Sequence, residues 1–363
     1  MKKKVLYGIG GAIIFLILLI FIGVSSLYGK MNYQKSTEKS ISDEEKKQYI
    51  KEEENQDLID SDSKEISEAD NKLKINIEDA EELEFNDGVF NILLIGQDGR
   101  ETVSGARSDC MILCSINEET NQVILTSFMR DCYVAIEGHE NNRLNASYAF
   151  GGVGLLKSTI ENNFKIPIDR YVEVDFFSFM DIVDAIGGID IELSDDEIKV
   201  LNDYLGEVNM ILGEEGSDRI DGKAGMYHLN GKQALAYSRN RYTGNSDYSR
   251  TERQRKILMA IKEEIKDCNP LQLLEIYNSV GKYITTDITA GEFLTMFINA
   301  PAYMKTDIVS NRVPYDNTFK ELTIRKMAVL SLDFEKNIDL LKKDIYGDEQ
   351  NSEKNINKGN RGL

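Results

Sequence analysis

Residues 237–256, YSRNRYTGNSDYSRTERQRK, contain five arginines, although the 363-residue chain has a formal net charge of -19. No arginine precedes Arg100, whereas lysines are frequent in that part of the chain. A planar guanidinium binds a carboxylate or a phosphate through two parallel hydrogen bonds, whereas a lysine ammonium acts as a point charge. The concentration of arginine therefore favours a site for an anionic ligand over a solvated basic surface.

An amphipathic helix is predicted in the second half of this segment. Ser249 and Glu252 have the spacing of a capping box, so the helix is expected to begin near Arg250. Isoleucines recur every fourth position from 257 to 265, and Arg253 and Arg250 continue the same face towards the N-terminus. An arginine on a core-facing side needs an anionic partner, because an unpaired buried charge costs on the order of several kcal/mol. Arg250 and Arg253 are therefore expected to face an anion.

Further charged residues lie after the first predicted strand, at the start of the second, at the end of the third and in the loop that comes next. They are Asp98 and Arg100, Arg107 and Asp109, Arg130 and Asp131, and Arg143 with Asn145. Open α/β sheets usually bind ligands at such an edge, although each pair could instead be a local ion pair. Arg239 and Arg241 end the preceding helix and are expected to converge on the same place, whereas Arg255 is expected to be exposed. The pattern predicts an arginine-lined pocket for a ligand with several negative charges.

The intervening sequence predicts the elements that hold these residues. Three short apolar runs are typical of buried strands: VFNILLIG (89–96), CMILCSI (110–116) and VILTSFM (123–129). Further strands at RYVEVDF, IDIEL and DIVSNRVP alternate with helices, of which SRTERQRKILMAIKEEIKD is the longest. The pattern indicates an α/β fold with a central mixed β-sheet covered by helices.

An uncharged apolar segment at residues 5–29 follows Lys2, Lys3 and Lys4. A helix of this length reaches about 36 Å and can span a bilayer. A cleaved signal peptide would have a shorter apolar core and a better cleavage site than SSLYGK. Because basic residues precede the span and acidic residues follow it, the positive-inside rule places residues 1–4 in the cytoplasm and the remainder outside the cell. A single-pass protein of the cell membrane is therefore expected.

The extent of the folded part is predicted from composition. Residues 31–84 contain 8 Lys against 18 Asp or Glu and show no sustained apolar period. An acidic, flexible extracellular tether is therefore expected at 30–84. A catalytic domain is expected at 85–268, a C-terminal helical extension packed on it at 269–346, and a disordered tail at 347–363.

Two carboxylates in the predicted pocket suit a divalent cation. Asp98 and Asp109 are hard oxygen ligands for Mg²⁺ or Mn²⁺ held jointly with phosphate oxygens. Arginines and a divalent ion around phosphates are the usual equipment of phosphoryl transfer. Asp131 is a further candidate, as a metal ligand or a base. His139 and His228 are the two histidines of the chain, which argues against a Ser-His-Asp hydrolase or a histidine-rich zinc site.

The chain resembles the LytR-CpsA-Psr family over roughly residues 91–266. The matching motifs, in order, are ILLIGQDGR, ARSDCMIL, SFMRDCYV, RLNASYAFGG, RYVEVDFFSFMDIVDAIGGIDIEL, HLNGKQALAYSRNR and SDYSRTERQRKIL. Members of this family are extracytoplasmic enzymes of mainly Gram-positive bacteria. They transfer a glycopolymer phosphate from an undecaprenyl-pyrophosphate carrier to a hydroxyl of peptidoglycan, with the help of a divalent metal. The chain departs from the family pattern at Met129, where a proline is common, and in NASYAFGG, which lacks a usual histidine.

The resemblance implies roles for individual residues. Asp98 and Asp109 are implied to hold the metal. The residues implied to bind the pyrophosphate are Arg107, Arg130, Arg239 and Arg250, supported by Arg253 and Gln254. Arg143 and Arg241 join this predicted binding set by their positions. The predicted catalytic set is Asp98, Arg107, Asp109, Arg130 and Asp131. An apolar groove for the polyprenyl tail is expected beside the arginines. Helices such as SFMDIVDAIGG or GGVGLLKSTI could line it, although apolar faces of this kind more often belong to the core.

Three alternatives to a phosphotransferase remain open at this point. A hydrolase that releases phosphate from the same carrier needs the same metal and arginines. A non-catalytic receptor for an anionic glycopolymer is a second alternative, which the presence of both Asp98 and Asp109 argues against. A nucleic-acid-binding regulator is the third, and the outward topology and acidic remainder of the chain oppose it. The expected partners are therefore the lipid-linked glycopolymer, peptidoglycan and the membrane, and not nucleic acid.

Overall fold

A computed structural model describes residues 29–347, with the exception of 39–40, 80–82, 84–85, 87, 99–106, 215–217, 245 and 304. The predicted membrane span lies outside the described residues except for Gly29, and so does the predicted tail except for Gly347. Within the described part of the chain, no helix has the length and apolar character needed to cross a bilayer.

The described chain alternates between helices and strands. The helices are α1 (Asp43–Glu53), α2 (Ser63–Glu78), α3 (Leu144–Phe164), α4 (Phe176–Ala185), α5 (Asp195–Leu212), α6 (Gly231–Arg239), α7 (Ser246–Ile265), α8 (Pro270–Val280), α9 (Ala290–Tyr303) and α10 (Phe334–Tyr346). The strands are β1 (Asn32–Tyr33), β2 (Val89–Asp98), β3 (Arg107–Asn117), β4 (Gln122–Phe128), β5 (Tyr133–Val134), β6 (Asn142–Arg143), β7 (Arg170–Asp175), β8 (Ile189–Leu193), β9 (Gly225–Leu229), β10 (Thr285–Thr286), β11 (Ile308–Val313), β12 (Phe319–Ile324) and β13 (Met327–Leu332).

Seven strands form a central mixed sheet in the order β1-β10-β7-β2-β3-β4-β11. β3 is antiparallel to both of its neighbours, β2 and β4, whereas β7 pairs with β2 and β11 pairs with β4 in parallel. The apolar runs of the sequence produce these inner strands, because residues on both faces are covered. The predicted α/β fold with a mixed sheet covered by helices is confirmed.

The two faces of the sheet serve different purposes. Successive residues of a strand point to opposite faces. Leu93 and Leu113 belong to a large buried cluster on one face, to which α2, α3 and α10 contribute. Their neighbours Leu94 and Ile112 line a cavity on the other face, beneath α4, α6 and α7. A second buried cluster joins β8, α5, α6 and α7 beside that cavity.

The prediction of a flexible tether at 30–84 is wrong for the described part of that segment. Helices α1 and α2 pack on the domain through buried side chains, including Tyr49 and Leu73. The Tyr49 ring meets Phe150 of α3 edge-on at 5.5 Å between centroids. The physical reason is local: Ala69 and Leu73 lie four residues apart on one face of α2, so the high average charge conceals an apolar stripe.

The C-terminal part is also more than the predicted helical extension. β11 extends the central sheet at the edge formed by β4, and β10 pairs with β7 on the other side. β12 and β13 form a hairpin whose residues join the large buried cluster. Residues beyond 268 therefore complete the sheet that residues before 268 begin.

Candidate active site

A cavity of about 510 Å³ lies between the central sheet and helices α4, α6 and α7. Most of its wall is apolar and comes from Leu94, Ile112, Val172, Val174, Phe176, Phe179, Ile182, Leu235, Ile257, Leu258 and Ile261. The polar lining residues include Asp109, Arg130, Arg239, Arg241, Arg250 and Gln254. The cavity therefore combines an arginine cluster, defined as Arg130, Arg239, Arg241 and Arg250, with a long apolar surface.

Asp109 is positioned near the start of β3, where the pairing with β2 is irregular. The register shifts between Gly96 and Gln97. A Cβ atom on Gly96 would lie 2.9 Å from the Cβ of Cys110, so glycine permits the close approach of the two strands. This local geometry places the Asp109 carboxylate in the cavity wall.

Two arginines contact the Asp109 carboxylate directly. Arg130 Nη1 donates a hydrogen bond to Asp109 Oδ1 at 2.9 Å, and Arg241 Nη2 lies 3.6 Å from Oδ2. Burial opposes ionisation of Asp109, but the charges of Arg130, Arg250 and Arg241 outweigh it and hold its pKa well below the usual range. Asp109 is therefore an anion throughout the physiological pH range.

Arg130 follows β4 and lies between two carboxylates. Its Nε is 3.5 Å from Asp131 Oδ1, while its Nη1 contacts Asp109. Burial favours the neutral form, but Asp131 and Asp109 outweigh it and raise the pKa of Arg130 above its ordinary value. A permanently charged guanidinium is thus fixed at the cavity wall.

Asp247 lies in the first turn of α7 and forms ion pairs with Arg250 of the same helix and with Arg241, which precedes the helix. Its Oδ1 is 3.1 Å from Arg250 Nη2 and 3.4 Å from Arg241 Nε. Arg250 is only 3 % exposed, and burial lowers its pKa from the ordinary value. Asp247 is not among the predicted site residues, although an acid three residues before Arg250 has the spacing of a helical ion pair.

Arg239 and Gln254 complete the polar part of the wall. The Arg239 guanidinium lies over the rings of Phe176 and Tyr204, 5.6 and 5.5 Å from their centroids, and 3.6 Å from Glu207. Gln254 Nε2 lies 3.5 Å from the backbone oxygen of Asp109. The structure therefore brings six predicted residues together, namely Asp109, Arg130, Arg239, Arg241, Arg250 and Gln254.

Helix α7 begins earlier than the capping-box pattern predicted. Its first residue is Ser246, so Ser249 and Glu252 lie inside the helix and the predicted start near Arg250 is wrong. The burial of Arg250 and Arg253 agrees with the apolar periodicity.

Arg253 is buried but does not line the cavity. Its Nε donates to Glu197 Oε1 at 2.9 Å, and its two terminal nitrogens donate to the backbone oxygens of Asn240 and Thr243, each at 3.1 Å. These bonds tie α7 to α5 and to the loop after α6. Arg253 therefore stabilises the packing of α7, and its predicted supporting role in pyrophosphate binding is corrected.

Arg255 was expected to be exposed, and this prediction is wrong. Its side chain enters the interface between α7 and the sheet, where Nε donates to Ser310 and Nη1 to Ser127, each at 2.6 Å. Burial lowers the pKa of Arg255 to about 10. The hydroxyls come from strands far away in sequence, so helical periodicity alone could not reveal this environment.

Arg143 and Asp131 lie behind the arginine cluster and not in the cavity wall. Arg143 Nη1 donates to Asp131 Oδ1 at 3.2 Å, and Arg143 also pairs with Glu53 of α1. Burial raises the pKa of Asp131. The predicted direct contact of Arg143 with pyrophosphate and the predicted catalytic role of Asp131 are therefore not supported by their positions.

The remaining predicted residues are Asp98 and Arg107. Asp98, at the end of β2, and Arg107, at the start of β3, are Cα partners. Arg107 lies two residues before Asp109 along β3. The side chains of Asp98 and Arg107 lie outside the described part of the structure. Among the described residues, no group of three or more His, Cys, Asp or Glu side chains forms a metal centre.

The predicted apolar groove lies beside the arginine cluster. Phe179 and Ile182, from the motif SFMDIVDAIGG on α4, line it as expected. The second candidate, GGVGLLKSTI on α3, does not, because Leu155 and Leu156 are buried in the large cluster on the opposite face of the sheet.

The fold and the cavity together define an α/β protein whose cavity joins a cluster of arginines to a long apolar surface. The chain belongs to the LytR_cpsA_psr family, which matches residues 34–343. This match includes α1 and α2, in agreement with their packing on the domain.

Three similar proteins illustrate the relationship. The chain is 36% identical over 207 residues to the Enterococcus faecalis polyisoprenyl-teichoic acid–peptidoglycan teichoic acid transferase TagU, covering 55% of this chain and 62% of the relative. It is 30% identical over 215 residues to the Bacillus subtilis polyisoprenyl-teichoic acid–peptidoglycan teichoic acid transferase TagT, covering 57% of this chain and 63% of the relative. A solved structure described as TagT bound to LIIa-WTA has a TM-score of 0.58 and 25% identity, covering 73% of this chain and 94% of that chain. The chain thus spans less than two thirds of the length of these curated relatives.

Proposed function

We propose that the protein transfers a glycopolymer phosphate from an undecaprenyl-pyrophosphate carrier to a hydroxyl of peptidoglycan. The observation that carries this proposal is the union of the arginine cluster with an apolar cavity of about 510 Å³. A polyprenyl pyrophosphate has this combination of a multiply charged head and an apolar tail. The names of the relatives TagU and TagT, which are teichoic acid transferases, support the same substrate class.

The arginine cluster is proposed to bind the pyrophosphate. Arg130, Arg241 and Arg250 approach Asp109 and Asp247 from the cavity wall, so their guanidinium groups can turn to phosphate oxygens. Fixed positive charges in a largely apolar cavity stabilise the charge that shifts to the leaving phosphate during transfer. Gln254 supports this arrangement through the backbone of Asp109.

A divalent cation, Mg²⁺ or Mn²⁺, is proposed to bind beside the phosphates. The donor chemistry fits: Asp109 is held ionised in the cavity wall, and the register places the Asp98 backbone at the same end of the adjacent strand. Magnesium sites commonly use one or two carboxylates together with substrate phosphates. When bound, the cation would neutralise phosphate charge that the arginines leave unbalanced.

The protein is proposed to be a single-pass membrane protein with its catalytic part outside the cell. The support is the uncharged segment 5–29 after three lysines. Such an anchor would keep the cavity near a lipid-linked substrate. A single cysteine introduced at exposed Ile59 checks this topology, because it should react with a labelling reagent in intact cells. The host must be one in which the reagent reaches the outer face of the cell membrane. Labelling only after cell lysis would contradict it.

The proposed reaction can be tested with the full chain purified in detergent. Incubation with a lipid-pyrophosphate-linked glycan, Mg²⁺ and peptidoglycan should produce wall-linked glycan phosphate, and chelation should stop it. Asp109→Ala and Arg130→Ala should abolish the product, because each removes a charged group of the cavity wall. Exposed Arg219→Ala is the matched control and should behave as wild type.

The outcome also separates the alternatives. Free phosphate or glycan phosphate released at the same rate with and without peptidoglycan would favour the hydrolase. Lipid binding without any product, in wild type and variants alike, would overturn the enzymatic function in favour of a receptor.

A further inference from the structure

A continuous series of ion pairs runs from helix α1 to the cavity. Glu53 at the end of α1 pairs with Arg143, and Arg143 Nη1 lies 3.2 Å from Asp131 Oδ1. Asp131 Oδ1 lies 3.5 Å from Arg130 Nε, and Arg130 Nη1 contacts Asp109 at 2.9 Å. We call these five residues the ion-pair series. It connects a segment with the composition of a tether to the wall of the proposed active site.

The outer end of the series is buried. Only 6 % of the Glu53 side chain and 8 % of the Arg143 side chain are exposed. Helix α1 is held in place by Tyr49, which packs on Phe150 of α3. Because Arg143 directly precedes α3, the same helix pair fixes both partners. Solvent screening is weak for such a pair, so its loss has consequences inside the domain.

Asp131 contacts both Arg130 and Arg143, and the charge of Glu53 determines how strongly each arginine attracts it. With Glu53 present, Arg143 has a carboxylate of its own and Asp131 remains available to Arg130. Without Glu53, Asp131 is the carboxylate left to Arg143 within this series and is drawn towards it. Arg130 is then held more closely by Asp109, which leaves fewer of its N–H groups to a ligand.

We propose that Glu53 is a positioning residue for Arg130, and that α1 thereby controls how tightly the cavity binds a pyrophosphate. This inference rests on the proposed function, since it concerns the affinity of the same site. It assigns the N-terminal segment a role in binding and makes the site sensitive to any displacement of α1.

The test uses the full chain in detergent and two probes that share an apolar chain, farnesyl pyrophosphate and farnesol. Glu53→Gln keeps the size of the side chain and removes its charge. We expect its dissociation constant for farnesyl pyrophosphate to rise about tenfold, with farnesol binding unchanged. The melting temperature should fall, because Arg143 loses a buried partner. Glu44→Gln, on an exposed position of the same helix, is the matched control and should bind as wild type.

A double-mutant cycle tests whether the effect passes through Arg143. In an Arg143→Gln background, Glu53→Gln should add no further loss of affinity. Glu53→Asp, which restores the charge on a shorter side chain, should recover part of the affinity lost in Glu53→Gln.

The possible results are distinguishable. Equal loss of farnesyl pyrophosphate and farnesol binding would show that Glu53 merely supports the cavity, and would overturn the inference. Wild-type affinity in Glu53→Gln would overturn it as well and leave the proposed function intact. If wild type itself did not prefer farnesyl pyrophosphate to farnesol, the proposed function would fail and the inference with it.

Discussion

Arg250 and Arg253 lie three residues apart on α7, and both are almost completely buried. Their partners determine what each can do. Arg250 pairs with Asp247 at the cavity wall, where a ligand phosphate can reach it. Arg253 is enclosed by Glu197 and two backbone oxygens away from the cavity. One arginine therefore belongs to the proposed binding site and the other to the scaffold that supports it.

This difference predicts opposite phenotypes for the same substitution. Arg250→Met should raise the dissociation constant for farnesyl pyrophosphate about 10- to 100-fold, because a charge-assisted hydrogen bond is worth about 1.5–3 kcal/mol. Arg253→Met should leave that constant nearly unchanged. It should instead lower the free energy of unfolding by about 3–5 kcal/mol, because Glu197 loses its buried partner. Calorimetric titration and urea denaturation of both variants measure the two quantities. A loss of affinity without a loss of stability in Arg253→Met would contradict the assignment.

At the scale of elements, α1 and α2 show that the acidic N-terminal segment contains helices packed on the domain. Their surfaces are strongly charged, but each contributes side chains to the large buried cluster. Tyr133 of β5 also donates a hydrogen bond to Asp70 of α2 at 3.0 Å. The segment is therefore part of the folded domain and contributes to its stability.

The packing of α2 can be tested by two substitutions on the same helix. Leu73 is 1 % exposed and Ile75 is 62 % exposed. Leu73→Ala should lower the free energy of unfolding by about 2–5 kcal/mol, since it leaves a cavity in the core. Ile75→Ala should change it by less than about 0.5 kcal/mol. Equal, small effects in urea denaturation would instead indicate that the segment is a tether.

The elements also show which features were accessible from the sequence. Inner strands and the inward face of α7 were predictable, because apolar runs and helical periodicity are local signals. Ion-pair partners were not. Arg253 finds Glu197 on α5, and Arg255 finds Ser310 on β11, through long-range packing that local patterns do not encode. The positions of Asp109 and Arg130 in one wall followed from their locations at strand ends. That of Arg250 followed from the inward face of α7, although the start of this helix was predicted four residues too late.

At the scale of the whole molecule, the C-terminal part of the chain returns to the central sheet and adds a strand to its edge. β11 covers the β4 edge in parallel register from Ile308↔Val123 to Val313↔Phe128. Arg255 bonds to hydroxyls of both strands and so fastens α7 across that pairing. The proposed active site is therefore supported by the described residues beyond 268, none of which lines the cavity.

Truncation provides a test of this closure. A chain that ends at residue 268 would expose the β4 edge and leave the Arg255 side chain without Ser310. We expect this fragment to aggregate or to unfold without cooperativity, and to lose binding of farnesyl pyrophosphate. A chain that ends at residue 347 and the full chain should both unfold cooperatively. Urea denaturation followed by circular dichroism compares the three, and a cooperative transition of the shorter fragment would refute the expectation.

The pairing of Asp109 with Arg130 and Arg241 makes ligand binding an exchange. An incoming phosphate must displace a carboxylate that already occupies the guanidinium groups, so Asp109 acts as an internal competitor. A pyrophosphate, which offers oxygens on two phosphates, is expected to compete for these guanidinium groups better than a singly charged anion. Once the proposed transfer has left a single phosphate on the lipid carrier, the carboxylate can recapture its arginines. Selectivity for highly charged head groups and prompt release of the spent carrier would then arise from the same contacts.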